Sequence, residues 1–91
     1  MKRNEECRRL AGGEVWLSGQ EAKLLDLFAS RQNRILSKEL LASMLSKENG
    51  AIKPTSVEVS VHRLRKKTEH LGWQIETVRQ IGYVAKQSAQ E

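Results

Sequence analysis

At 91 residues, 38% of them hydrophobic, the chain has room for one small domain with a modest core. A single cysteine, Cys7, excludes an internal disulfide and makes a reducing cytoplasm the expected compartment. No apolar run approaches the roughly 20 residues of a membrane span, and the opening Met1-Lys2-Arg3-Asn4-Glu5-Glu6 lacks the apolar stretch of a secretory signal. Sixteen Lys and Arg against eleven acids leave a formal charge of +5. That excess favours a polyanionic partner through counterion release, though a well-solvated surface would carry it too.

Residues 1–6 are expected to be flexible, and one domain is expected over 7–86. Cys7-Arg8-Arg9-Leu10 and Val15-Trp16-Leu17 flank Ala11-Gly12-Gly13-Glu14, which predicts a small hairpin with a Gly-Gly turn. Ser18-x-x-Glu21 is a capping box: the hydroxyl accepts from an early helical amide and the carboxylate reaches back to the cap. A helix then runs to about Ser30, burying Leu24, Leu25, Leu27 and Phe28, until Gln32-Asn33-Arg34 breaks it. Ser37 caps a second helix with Leu40, Leu41, Met44 and Leu45 inside. Residues 46–53 are polar, contain Gly50 and are expected to form a loop. Pro54 disfavours helix at Lys53, and Thr55-x-x-Glu58 reads as a second capping box opening a third helix, about 55–71, which Gly72 ends. From Trp73 to Val84 the pattern is two short strands with a basic tip at Arg79, and residues 87–91 form a frayed tail.

The third helix carries the clearest pattern. Val57, Val61, Leu64, Thr68 and Leu71 recur at helical spacing, and Val61 and Leu64 fall within about 40° of Val57 on a wheel turning about 100° per residue. Ser56, Val59, Arg63, Lys66 and Lys67 land on the far side. Arg63, Arg65, Lys66 and Lys67 fall within five residues, while acids sit mostly on other elements. Hydroxyl and basic groups on such a face bond phosphate oxygens and base edges, and Val59 suits a thymine methyl. A helix for the major groove followed by a hairpin bearing an arginine is the layout of a winged helix.

Four blocks now carry a specific resemblance. They are Leu17-Ser18-Gly19-Gln20-Glu21 with Leu24-Leu25; Arg34-Ile35-Leu36-Ser37-Lys38-Glu39-Leu40-Leu41; Val57-Glu58-Val59-Ser60-Val61-His62-Arg63-Leu64-Arg65-Lys66-Lys67; and Thr77-Val78-Arg79-Gln80-Ile81-Gly82-Tyr83. In this order and spacing, over about residues 7–84, the chain resembles the DNA-binding effector domain of OmpR/PhoB-type response regulators of bacterial two-component systems. The resemblance implies an α+β winged helix-turn-helix: a short N-terminal β-hairpin, three helices and a C-terminal β-hairpin wing. It also implies a sequence-specific transcriptional regulator whose third helix enters the major groove and whose wing arginine reaches the minor groove.

Carried over residue by residue, Arg63 matches the base-contacting arginine, and its fork suits guanine O6 and N7. Val59 matches a position that packs on thymine methyls. Ser56 and Ser60 match phosphate contacts near the helix start, with simple capping the rival role for Ser56. Thr77 and Arg79 match the wing contacts. With His62, Lys66 and Lys67 these residues make up the expected DNA-binding set.

The departures are equally specific. Ser60 stands where histidine is usual, His62 where arginine is usual, and Gln80 at the usual glycine of the wing turn. Leu45 replaces a common tryptophan, and residues 46–53 lack the Gly-aromatic sequence of a loop that in the family can contact RNA polymerase. Two of the family's four N-terminal strands have no counterpart, leaving a two-stranded sheet. The single aspartate, Asp26, lies in a helical segment, so no receiver domain with an acidic phosphoacceptor pocket is expected within these 91 residues. The chain is either an excised effector domain or a stand-alone one, and Met1 favours the second.

Catalytic readings find no support: there is no HExxH, CxxC, Gly-rich phosphate loop or GxSxG. His62 and His70 lie too far apart in sequence, and too far from Cys7, to suggest a metal site. No cofactor, metal or membrane is expected. The expected partner is double-stranded DNA, with RNA polymerase or a related response regulator as further partners. The chain is expected to be monomeric in solution and to pair in tandem on DNA. The alternative function is a small interaction module acting on a full-length regulator or on RNA polymerase, since a fold alone decides neither.

Overall fold

Alternating residues and a glycine pair give the chain its first reversal. In the computed structural model, which describes residues 5–87, β1 (Glu5–Leu10) pairs antiparallel with β2 (Gly13–Ser18), Cys7 opposite Trp16. The strand opens at Glu5, two residues ahead of the predicted start. Of the ends expected to be flexible, residues 1–4 and 88–91 lie outside the described residues, as do the side chains of residues 47–49. Gly12 is required at the turn because a Cβ there would lie 2.7 Å from the Leu71 Cα. Its N–H donates to the Leu71 carbonyl at 3.1 Å, fastening the hairpin to the far end of the third helix. A bidentate pair, Arg8 Nη1 and Nη2 to Asp26 at 2.7 and 3.0 Å, fastens its other side to the first helix.

The predicted capping box is formed at the start of α1 (Gly19–Ser30). Glu21 N–H donates to Ser18 Oγ at 3.1 Å, and Ser18 N–H to Glu21 Oε1 at 3.0 Å. Leu24, Leu25 and Phe28 are buried as expected, with Leu27 packed at the margin. Asn33 then adopts a left-handed conformation (φ 67°), a role its short polar side chain tolerates. The chain continues as a short extended run beside the wing, where Leu36 and Tyr83 exchange two N–H···O bonds of 2.8 Å.

Ser37 Oγ caps α2 (Lys38–Asn49), accepting from Leu40 N–H at 3.0 Å. Leu41 and Leu45 are buried and Met44 is half-buried, but Leu40 is exposed; the small Ala42 turns inward instead. The loop expected from residue 46 begins only at Gly50. Ser46 is the reason: its hydroxyl donates to the Ala42 carbonyl within the helix and accepts the N–H of Ile52, drawing the returning chain against the last turns. The second predicted capping box does not form. Pro54 occupies the first position of α3 (Pro54–Thr68), with Lys53 as cap residue and no side-chain cap, so Thr55 is already inside the helix. Proline presets the helical φ and removes one amide that would need a partner. Glu58 is thereby released to bond Lys38 of α2.

Val57, Val61, Leu64 and Thr68 face inward as the wheel requires, and Thr68 Oγ1 satisfies itself on the Leu64 carbonyl at 2.8 Å. Leu71, at the end of that seam, is half-buried in a 3-10 turn (Glu69–Leu71), and Gly72 closes the segment at φ 100°. The wing, β3 (Trp73–Val78) and β4 (Gly82–Gln87), lays Trp73, Ile75, Tyr83 and Ala85 over the core formed by Leu17, Leu24, Phe28, Leu41, Leu45, Val57 and Leu64. Gly82 is the second indispensable glycine: a Cβ there would sit 2.1 Å from the Leu36 carbonyl oxygen. The architecture is the expected α+β winged helix: an N-terminal hairpin, three helices and a C-terminal hairpin.

Candidate nucleic-acid interface

Contacts on its two flanks fix the rotation of α3 about its own axis. Toward α1, Gln20 Nε2 donates to Ser60 Oγ at 2.5 Å. On the same flank Lys67 Nζ donates to Glu21 Oε1 at 2.8 Å and to the Trp16 carbonyl at 3.3 Å. Toward α2 and the wing, Glu58 accepts from Lys38, and Arg65 Nη1 approaches the Ile75 carbonyl at 3.5 Å. What remains between these flanks is the solvent face, and Ser56, Val59, His62, Arg63 and Lys66 all stand exposed on it. Val59 is 51% exposed, an apolar side chain left in solvent on this face.

Five of the nine predicted residues therefore share one strip of one helix. Thr77 and Arg79 are exposed on the wing, Arg79 in its turn. Ser60 and Lys67 stand apart from the other seven. Both lie half-buried on the α1 flank, and the Lys67 ammonium compensates a carboxylate whose side chain is only 5% exposed. A charge so far removed from water needs a partner, so the Lys67 ammonium is paired on the α1 flank while its side chain stays partly exposed. Gln20 and Lys38, which the sequence reading passed over, border the strip on its two sides. Their pairings connect residues 40 and 20 positions apart in the chain, and no local pattern signals them.

The surrounding electrostatics follow from these geometries. Its hydrogen bond to Glu58 holds the Lys38 ammonium protonated to higher pH than an ordinary lysine. Burial pushes the Tyr83 phenol up from its usual range. The hydrogen bond from Arg8 holds the Asp26 carboxyl below the ordinary carboxylate value. Among the described residues no three His, Cys, Asp or Glu side chains converge to hold a metal ion, and no helix is long and apolar enough to cross a membrane.

Three helices around one core, a hairpin wing beside the third, and a basic exposed strip on that third helix define a winged-helix DNA-binding domain. The sequence profile of the family described as "Transcriptional regulatory protein, C terminal" matches residues 12–85, and the chain belongs to that family, the OmpR/PhoB-type effector domains of DNA-binding transcription regulators. This is not an enzyme family. The chain is similar to the transcriptional regulatory protein TctD of Salmonella typhimurium, 35% identical over 75 residues that cover 82% of this chain and 34% of that protein. It is 40% identical to the response regulator protein PmrA of Pseudomonas aeruginosa over 81 residues, 88% of this chain and 35% of that one. The chain thus spans about a third of the length of these curated relatives. Its fold matches the C-terminal domain of the nisin resistance regulator NsrR, a lantibiotic response regulator, with a TM-score of 0.73 and 30% identity over 92% of this chain and 93% of that one.

Proposed function

We propose that this chain binds double-stranded DNA with sequence preference and regulates transcription in the bacterial cytoplasm. The third helix lies in the major groove and Arg79 in the adjacent minor groove. The observation that carries the reading is the exposed strip of α3. Ser56, Val59, His62, Arg63 and Lys66 are turned outward together because both flanks of the helix are fixed by contacts to α1, α2 and the wing.

Within the strip, Arg63 takes the base-reading role and Val59 the thymine methyl, while Ser56 and Lys66 hold phosphates. Ser60 contributes at the margin, through a hydroxyl already oriented by Gln20. The protein is monomeric when free and pairs on direct repeats about 10 bp apart, the spacing that places successive copies on one side of the duplex. RNA polymerase or a related regulator would be met on DNA.

Selection of bound duplexes from a random pool, followed by mobility shifts with the parent and Arg63→Ala, tests the reading. An enriched sequence whose preference weakens at one base pair in the variant is the expected result. A pool that shows no enrichment, with parent and variant binding alike, would sink it and favour the interaction-module alternative.

A further inference from the structure

Between the first turn of α2, the flank of α3 and the turn of the wing lies a cleft of about 310 Å³. Lys38, Glu39, Glu58, Thr77, Gln80 and Tyr83 contribute to its lining. Two of its walls, α3 and the wing, are the elements that the proposed function sends into neighbouring grooves. A duplex engaged by both presents a phosphate strand to the space between them, because one backbone separates a major groove from the adjacent minor groove. Yet the cleft holds two carboxylates, and its cation is already occupied. Lys38 Nζ, carried on α2, donates to a Glu58 carboxylate oxygen carried on α3. Both side chains remain accessible, 41% and 44% exposed, so the pair lines the cleft while open to solvent.

Resting on the DNA-binding reading, we propose that Lys38 is a phosphate-binding residue masked in the free protein by Glu58. Entry of the strand exchanges the carboxylate for a phosphate oxygen on the same ammonium, and Glu58 thereby sets how tightly any duplex is held. An exposed ion pair is weak enough to be exchanged, and a strand phosphate offers the same acceptor chemistry as the carboxylate it displaces. The site adds a backbone contact on the wing side of α3 that the outward strip does not supply. It also gives a reason for an acid at the border of a surface that must approach a polyanion. Glu39 lines the same cleft and carries the same formal charge, but no hydrogen bond joins it to Lys38 among the described contacts.

The test is a fluorescence-anisotropy salt series on a labelled mixed-sequence duplex, using the whole chain as parent, Glu58→Gln, Glu39→Gln, Lys38→Met and the Lys38→Met, Glu58→Gln double variant. Glu58→Gln is expected to tighten binding roughly two- to five-fold, more than Glu39→Gln does. The gain disappears when Lys38 is absent, and the slope of log K against log salt shrinks by about 0.9 between Glu58→Gln and the double variant. A gain that persists without Lys38, or is equalled by Glu39→Gln, would assign the effect to overall charge and overturn the proposal. So would weaker binding by Glu58→Gln, which would make Glu58 itself a DNA contact. Lys38→Gln stands in if the methionine variant does not melt cooperatively. A parent that binds no duplex rejects the DNA reading itself, whereas a parent that binds but gives a flat cycle rejects only the masked lysine.

Discussion

Lys67 Nζ lies 2.8 Å from Glu21 Oε1, and the same carboxylate oxygen accepts the Ser18 N–H that starts α1. One buried oxygen thus joins the cap of the first helix to the last turn of the third. Among the described contacts, removing the lysine leaves the carboxylate, 5% exposed, with the cap amide as its remaining partner. Lys67→Met is expected to lower stability by about 1–3 kcal/mol, the cost of a buried group left without its partner, discounted because Lys67 itself is partly solvated. Glu21→Gln, which keeps an acceptor for the cap without a charge, should cost less. Urea denaturation of the two variants decides: equal midpoints for parent and Lys67→Met would show that the pair contributes nothing.

The exposed strip predicts a different pattern for its own residues. Arg63→Ala should cost about 1–3 kcal/mol at a selected site and relax preference at one base pair. Lys66→Ala should weaken selected and random duplexes alike and reduce the salt slope by about 0.9. Thermal melting should be near that of the parent in both, since neither side chain is buried. Salt titrations on two duplexes separate the roles. If Lys66→Ala altered base preference while Arg63→Ala did not, the rotation assigned to α3 would be wrong.

The contrast between Lys66 and Lys67 shows how far the sequence reading reaches. The apolar seam of α3 was legible because Val57, Val61 and Leu64 leave a periodic trace. That trace fixes which residues point inward and, by difference, which point out. It does not say what packs on the flanks. Lys67 belongs to a flank, and its partner Glu21 was already assigned a complete local role in the Ser18 cap. Thr55 and Glu58 misled for the same reason: their spacing fits a capping box, but Pro54 takes the first helical position and a lysine from another helix claims the carboxylate. Local spacing predicted the elements, whereas contacts between elements decide which side chains of α3 are paired and which stand exposed.

Acid should loosen the N-terminal hairpin before it reaches the core. Arg8 holds the Asp26 carboxyl below its ordinary range in the folded protein. The pair's contribution is therefore complete above the unfolded value of about 3.9 and disappears as pH falls through the lower folded value. With Asp26 half in solvent the contribution is small, about 1 kcal/mol or less. The check is the melting temperature followed from pH 6 down to pH 2 (roughly the window of carboxylate titration). The parent should lose more stability than Asp26→Asn over that range, so that the two curves converge at the acid end. Parallel curves would mean that the bidentate pair adds nothing to stability.

The wing turn offers the last test. Gln80 adopts φ 64°, a left-handed conformation in which its Cβ crowds the following carbonyl. The turn is closed by Ile81 N–H donating to the Val78 carbonyl at 2.9 Å, and Gly82 beyond it cannot shift because Leu36 lies against its backbone. The hairpin register therefore forces the strain onto Gln80. Gln80→Gly removes that strain but frees the unfolded chain, and the balance should still favour the variant by up to about 1 kcal/mol. The glutamine side chain is exposed at the cleft beside the wing and takes no part in the core, so the core is unaffected. Denaturant midpoints should rise for Gln80→Gly and fall for Gln80→Val, whose branched Cβ tolerates φ > 0 still less well. A valine variant as stable as the parent would show that the turn relaxes into another geometry, and the fixed placement of Arg79 that the proposed wing contact needs would be lost.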